Sequence, residues 1–202
     1  MIQIHDDIFD KIFLLEISIW LMEECKWTAN NAANRYSHPY FIEGSHRFMA
    51  APFYENSVGS TKKYWEYVYR TDYIKQLEMF WGMFGDIQRY SKNKCMLQGI
   101  DGNLQFKGMD GVFHEDGDEN QTIFIIMLAY HDIEENMGGE FFHESSGKKI
   151  SFKQGRIIEM TASESHRADG FNVPHVPRFS IKFTGLNGKE SQIYKGTSNF
   201  SY

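Results

Sequence analysis

The sequence predicts a mainly β, α+β fold: an antiparallel double sheet of the jelly-roll type, with N-terminal helices bracing one face. Three observations carry this. Helical periodicity is confined to residues 1–90 of the 202. Short apolar or alternating runs fill the stretch from 95 to 185, and turns rich in Gly, Asn and Asp separate them. Helices first and many short strands second favour a pair of antiparallel sheets.

Met1 to His5 alternates apolar and polar residues, as a short strand does. Ile8 to Lys26 predicts a helix. Its Ile8, Ile12, Leu15, Ile19 and Met22 recur at steps of four and three and are expected to face the core. No period holds from Thr28 to Ser60, where Asn30, Asn31, Asn34, Ser37, Pro39, Gly44, Pro52 and Gly59 predict loops with at most short edge strands. A loop region this long either covers a site or contains further elements. Ser60 or Thr61 caps a short predicted helix over Lys62 to Arg70, and Thr71 or Asp72 caps another from Tyr73 to about Phe84. The aromatics dense here, among them Tyr64, Trp65, Tyr67, Phe80 and Trp81, fit a helical layer packed on a sheet better than a base-stacking platform, which normally accompanies a basic groove. Strands are then predicted over Met96–Gly99, Leu104–Lys107, Val112–Asp116, Thr122–Tyr130, Gly139–His143, Lys149–Lys153, Arg156–Thr161 and Arg178–Thr184.

At 42% hydrophobic residues and without a Pro/Gly/Ser-rich linker, the chain reads as a single domain spanning 1–202. Residues 1–90 would supply helical and loop support, and 95–185 the jelly-roll core. A formal charge of −6 argues against bulk binding to nucleic acid, because neutralising phosphates takes an excess of Lys and Arg. Cys25 and Cys95 stand in no metal-ligand or redox spacing, which suits free thiols in a reducing compartment. The apolar run Ile12–Met22 is interrupted by Glu16 and Ser18, is too short to span a bilayer, and follows Asp6, Asp7 and Asp10 instead of a basic region. An intracellular, soluble protein with no membrane association is therefore expected.

The chemistry gathers in the C-terminal half. His114 and Asp116 are two apart, so in a strand they point to one face. An imidazole beside a carboxylate supplies two thirds of the 2-His-1-carboxylate triad that holds Fe(II) with open positions. His166 follows the strand predicted over Arg156–Thr161. Further on, alternation places Phe179, Ile181 and Phe183 on one face and Arg178, Ser180 and Lys182 on the other. An inward Arg beside a Ser needs an anion, and a planar guanidinium matches a carboxylate.

The ordered set His114-x-Asp116, Gly138-Gly139-Glu140, Gly155-Arg156, His166-Arg167 and Arg178-x-Ser180 resembles the Fe(II)/2-oxoglutarate-dependent dioxygenases, most nearly their prolyl 4-hydroxylase-like branch. The resemblance covers Leu104 to Thr184. It implies a double-stranded β-helix, cupin-like core in which His114, Asp116 and His166 bind Fe(II). Arg178 would hold the distal carboxylate of the cosubstrate 2-oxoglutarate, with Ser180 as a helper. The implied reaction consumes O2, releases succinate and CO2, and hydroxylates an unidentified substrate such as a peptidyl proline or a small molecule; ascorbate is a candidate accessory. Related halogenases lack the carboxylate that Asp116 supplies, so hydroxylation is preferred. Where prolyl-hydroxylase-like members often carry a Tyr nine residues before the first ligand, this chain has Gln105, followed by the family's Gly at Gly108. The Gln105 amide is expected to donate to the cosubstrate in the Tyr's place. The alternatives are a nucleic-acid or modified-base oxidase and a non-catalytic cupin-like metal-binding protein. Glu115, Asp118, His131, His143 and His175 are weaker rivals as ligands, Lys182 rivals Arg178 as the anchor, and His38 and His46 read as structural or surface residues. No oligomeric state is implied.

Overall fold

The computed structural model describes residues 2–27, 48–55, 74–134 and 136–188. Within them the chain forms β1 (Gln3–His5), α1 (Lys11–Glu23), β2 (Met49–Glu55), α2 (Ile74–Tyr90), β3 (Cys95–Gln105), β4 (Gln121–Ala129), β5 (Phe141–His143), β6 (Lys148–Ile150), β7 (Ile157–Thr161), β8 (His166–Ala168) and β9 (Arg178–Asn187). Two antiparallel sheets result, a large one in the order β1-β7-β4-β9-β3-β2 and a small one in the order β6-β5-β8.

Alternation along β4 shows how the layers stack. Phe124, Ile126 and Leu128 join a core with Leu14, Ile17 and Trp20 of α1 and Leu77, Phe80 and Ile87 of α2. The intervening Ile123, Ile125 and Met127 join a second core with Phe141 of β5 and Ile150 of β6. The large sheet is therefore covered by helices on one face and by the small sheet on the other, which is why β4 is apolar at nearly every position. β9 obeys the same rule. Phe179, Ile181 and Phe183 face the helices, so Arg178, Ser180 and Lys182 face the space between the sheets.

The structure corrects the expected face of the first helix. Leu14, Ile17, Trp20 and Leu21 are buried, whereas Ile12 is 70% exposed and Leu15 and Met22 are each 44% exposed. This segment carries apolar residues on nearly every side, so two stripes satisfy the helical period. The stripe with Trp20 prevails because that ring packs against Phe53 and Phe80, with centroids 5.7 and 6.0 Å away. Asp10 caps the helix, its Oδ1 accepting from Ile12 N at 2.8 Å. The second helix runs past Phe84 to Tyr90, since Leu77, Phe80, Met83, Phe84 and Ile87 keep one stripe buried and Gly82 and Gly85 lie on its exposed side.

Other boundaries also move. Met96–Gly99 and Leu104–Gln105 fall in one strand, β3, which has a register shift between Leu97 and Gly99 and ends at Gln105 instead of Lys107. Within the region read as loops with at most short edge strands, β2 is such an edge strand. Gly138 and Gly139 both have positive φ, so the strand expected from Gly139 begins only at Phe141. Val112–Asp116 is not a strand; it meets β8 through one isolated bridge, His114 to His166. The helix expected over Lys62–Arg70, most of the Thr28–Ser60 loop region, His38 and His46 lie outside the described residues. Among the described residues no helix is long and apolar enough to cross a membrane.

Candidate metal and anion site

His114 and His166 are joined first by their backbones. The N–H of each donates to the other's carbonyl, at 3.0 and 2.9 Å, which brings the two rings to 4.5 Å between centroids. Next along the chain, the N–H groups of Asp116 and Gly117 both donate to Ala162 O, at 2.9 and 3.1 Å. These contacts hold the 112–117 segment extended without a regular ladder, and His114 and Asp116 still face one side. Their side chains converge with that of His166: one ligand atom from each lies within 4.8 Å of the others, and no other such trio of His, Cys, Asp or Glu occurs among the described residues.

The proton positions of the two imidazoles follow from their partners. Each Nδ1 lies 2.9 Å from a backbone carbonyl, Val112 O for His114 and Glu164 O for His166, and a carbonyl can only accept. Each Nδ1 therefore carries a proton, which leaves Nε2 of each ring as the atom that faces the Asp116 carboxylate. His166 Nε2 is 3.3 Å from Asp116 Oδ2, and His114 Nε2 is 3.8 Å from Asp116 Oδ1. Burial pushes His114 below the usual imidazole range against the pull of Asp116, so its neutral, ligating form is favoured. Burial raises Asp116, but the Lys182 ammonium and the two imidazoles outweigh it and hold the carboxyl well below the usual range. Two imidazole nitrogens and an ionised carboxylate form the donor set of the facial triad. Their spacing suits donors about 2.0–2.2 Å from one first-row ion.

The large sheet contributes the other wall. Arg178 opens β9, paired with Gln105 of β3 on one side and Ala129 of β4 on the other, and is 1% exposed. Its Nε donates to Gly139 O at 3.2 Å and its Nη1 to Gln105 Oε1 at 2.9 Å, while the buried Nη2 has no hydrogen-bond partner among the described residues. Burial lowers the guanidinium to about 10, with Asp169 opposing, so Arg178 remains charged at neutral pH. Ser180, two residues along the same face, is 3% exposed. Lys182, two further on, places Nζ 2.9 Å from Asp116 Oδ1 and 3.9 Å from Asp101 Oδ2.

Gln105 departs from its expected role. It is 4% exposed, and its Nε2 donates to Met109 O at 2.7 Å and to Ala168 O at 2.9 Å. Both amide N–H groups are thus occupied by backbone, and none remains for a cosubstrate.

The rival ligands lie elsewhere. Glu115, Asp118, His131 and His175 are exposed. His143 is buried, but its Nδ1 contacts Ser146 Oγ at 2.7 Å and its Nε2 lies 3.6 Å from Glu164. Two participants escape sequence reading. The Gly139 carbonyl shows itself only as a turn glycine, and the pairing of Lys182 with Asp116 depends on where β9 passes the 112–117 segment.

No protein-family model and no curated protein matches the sequence significantly. Solved structures do match. A prolyl hydroxylase from Trichoplax adhaerens, in complex with a hypoxia-inducible-factor peptide fragment, superposes with a TM-score of 0.60 at 13% identity, over 92% of this chain and 83% of that one. A 2OG-Fe(II) oxygenase family oxidoreductase from Burkholderia pseudomallei gives 0.59 at 14% identity, over 93% and 85%. A prolyl-4-hydroxylase from Pseudomonas putida gives 0.58 at 10% identity, over 93% and 92%. With helices on one face of two antiparallel sheets and a His-Asp-His cluster between them, this chain has the fold of the Fe(II)/2-oxoglutarate oxygenases in their prolyl hydroxylase-like form.

Proposed function

We propose that this chain is a single-domain Fe(II)- and 2-oxoglutarate-dependent oxygenase, built on a double-stranded β-helix of the cupin type, that hydroxylates a peptidyl proline or a small molecule. The observation that carries the reading is Arg178. A fully buried guanidinium with an unpartnered Nη2, on the same interior as a His-Asp-His cluster, is costly unless an anion completes it. A dicarboxylic acid that reaches from the metal to Arg178 accounts for both features.

His114 Nε2, His166 Nε2 and one Asp116 oxygen would hold Fe(II), and Arg178 Nη2 with the Ser180 hydroxyl would receive the far carboxylate of 2-oxoglutarate. When bound, the iron, 2-oxoglutarate and O2 supply oxidative decarboxylation to succinate and CO2, coupled to insertion of one oxygen atom into a C–H bond. The chain's own part is to orient two imidazoles through their Nδ1 hydrogen bonds, keep Asp116 ionised, and exclude water from the Arg178 end.

Succinate formation tests this. Protein loaded with Fe(II) under nitrogen and exposed to air with 2-oxoglutarate should release succinate, and His114→Ala, Asp116→Ala and His166→Ala should each abolish it while retaining a cooperative unfolding transition. Arg178→Ala should weaken 2-oxoglutarate binding about 30-fold or more, the equivalent of at least about 2 kcal/mol for one lost charge-assisted contact. Iron binding by the wild type with no succinate formed, with or without candidate substrates, would favour a non-catalytic metal protein.

A further inference from the structure

We propose that Gln105 is a positioning residue that fixes which nitrogen of Arg178 is left to meet an anion, and so sets the anion affinity of the site without touching the anion; this rests on the oxygenase reading above. The orientation of its amide is determined by its neighbours. Met109 O and Ala168 O can only accept, so both N–H groups must face them, and Arg178 can only donate, so the amide oxygen must face Nη1. No flipped amide satisfies all three partners.

The guanidinium plane is then defined by two fixed points. Nη1 is held by Gln105 on β3, and Nε is held by Gly139 O on the turn before β5. With Nε–H and one Nη1–H engaged, Nη2 is the nitrogen left without a hydrogen-bond partner among the described residues. Gln105 also bonds Ala168, two residues beyond His166 on β8. A single side chain thus ties the strand that carries a candidate metal ligand to the anchor for the far carboxylate, and holds the distance between the two ends of the ligand. The Tyr that prolyl-hydroxylase-like members often place here acts on the cosubstrate, whereas Gln105 acts through Arg178.

A double-mutant cycle read by 2-oxoglutarate binding tests this. Zinc is used in place of iron because it has no redox chemistry, so binding is measured without turnover. Four proteins are compared by calorimetry: wild type, Gln105→Met, Arg178→Lys and the double variant. Gln105→Met should weaken 2-oxoglutarate about tenfold with zinc affinity unchanged, and should weaken it less than about twofold further in the Arg178→Lys background, because coupled residues are non-additive. If Gln105→Met does not fold, Gln105→Asn serves instead. It keeps an uncharged amide but is one methylene too short to reach Met109 O, Ala168 O and Arg178 together, so it should also weaken 2-oxoglutarate about tenfold with zinc affinity unchanged. Losses that multiply in the cycle, or wild-type affinity in either Gln105 variant, overturn the positioning role. Failure of the zinc-loaded wild type to bind 2-oxoglutarate overturns the oxygenase reading itself, and this proposal with it.

Discussion

Lys182 gives Asp116 a charge partner before any metal arrives. Its ammonium is 2.9 Å from Asp116 Oδ1, and the carboxylate is only 9% exposed, so solvent replaces little of that contact. Lys182→Met should therefore destabilise the metal-free protein by about 1–3 kcal/mol, the usual cost of leaving a buried polar group less well satisfied. A divalent ion on Asp116 supplies the missing positive charge, so the loss should shrink when zinc is present. Urea unfolding with and without zinc measures both values; an equal loss in the two conditions would show that Lys182 acts by packing and not by charge. At this scale much of the site was legible, because His114-x-Asp116 and His166 announce their chemistry by residue type and the structure brings them together. Gln105 was not legible in the same way. What it does depends on two carbonyls, Met109 O and Ala168 O, that no side-chain pattern marks.

Among the elements, β1 is the shortest piece of the large sheet to depend on side chains for its place. Three residues pair with β7, and just beyond them Asp6 receives Arg156 Nε on Oδ1 and Nη2 on Oδ2, both at 2.9 Å. Arg156 is also anchored by Nη1 to Ser151 O at 2.7 Å. The Arg156 hydrogen bonds hold the Asp6 carboxyl below its ordinary value. A carboxylate lowered in the folded state contributes stability above its unfolded pKa and loses it as pH falls through the lowered value. Asp6→Asn should thus cost about 0.5–1 kcal/mol near pH 7, a modest figure for a bidentate but partly exposed pair. The difference from wild type should fade as pH falls through the lowered value, where the Asp6 carboxyl takes up its proton and both side chains are neutral; denaturation at a series of pH values would show it, and a difference independent of pH would mean the pair is not the cause. Elements were legible where a run had one solution, as in β4 and β9. They were not where it had two or none: α1 is apolar on nearly every side, so its period fits two stripes, and β8, with three residues, is too short to show alternation.

For the whole molecule, the order of helices and strands was enough to predict two antiparallel sheets with helices on one face. The strand order was not, because β1 joins β7 and β2 joins β3 across long separations that local patterns do not encode. That non-local arrangement has a consequence for binding. The candidate metal ligands come from β8 and from the 112–117 segment that bridges to it, whereas Gln105, Arg178, Ser180 and Lys182 come from the large sheet. A metal alone joins two pieces of chain beside the small sheet; metal with 2-oxoglutarate would join that layer to the large sheet. Zinc at a hundred times its dissociation constant should stabilise the fold by about 2.7 kcal/mol, a rise of several degrees at about 2–4 °C per kcal/mol for a chain of this size. Adding 2-oxoglutarate should raise the transition again. In Arg178→Ala the zinc increment should persist and the 2-oxoglutarate increment should disappear, while in His166→Ala both should be lost, since the metal end of the ligand then has no support. Thermal unfolding of the three proteins under the four ligand conditions reads the pattern directly. A 2-oxoglutarate increment that survives Arg178→Ala would place the far carboxylate elsewhere, with Lys182 as the next cation on the same face of β9.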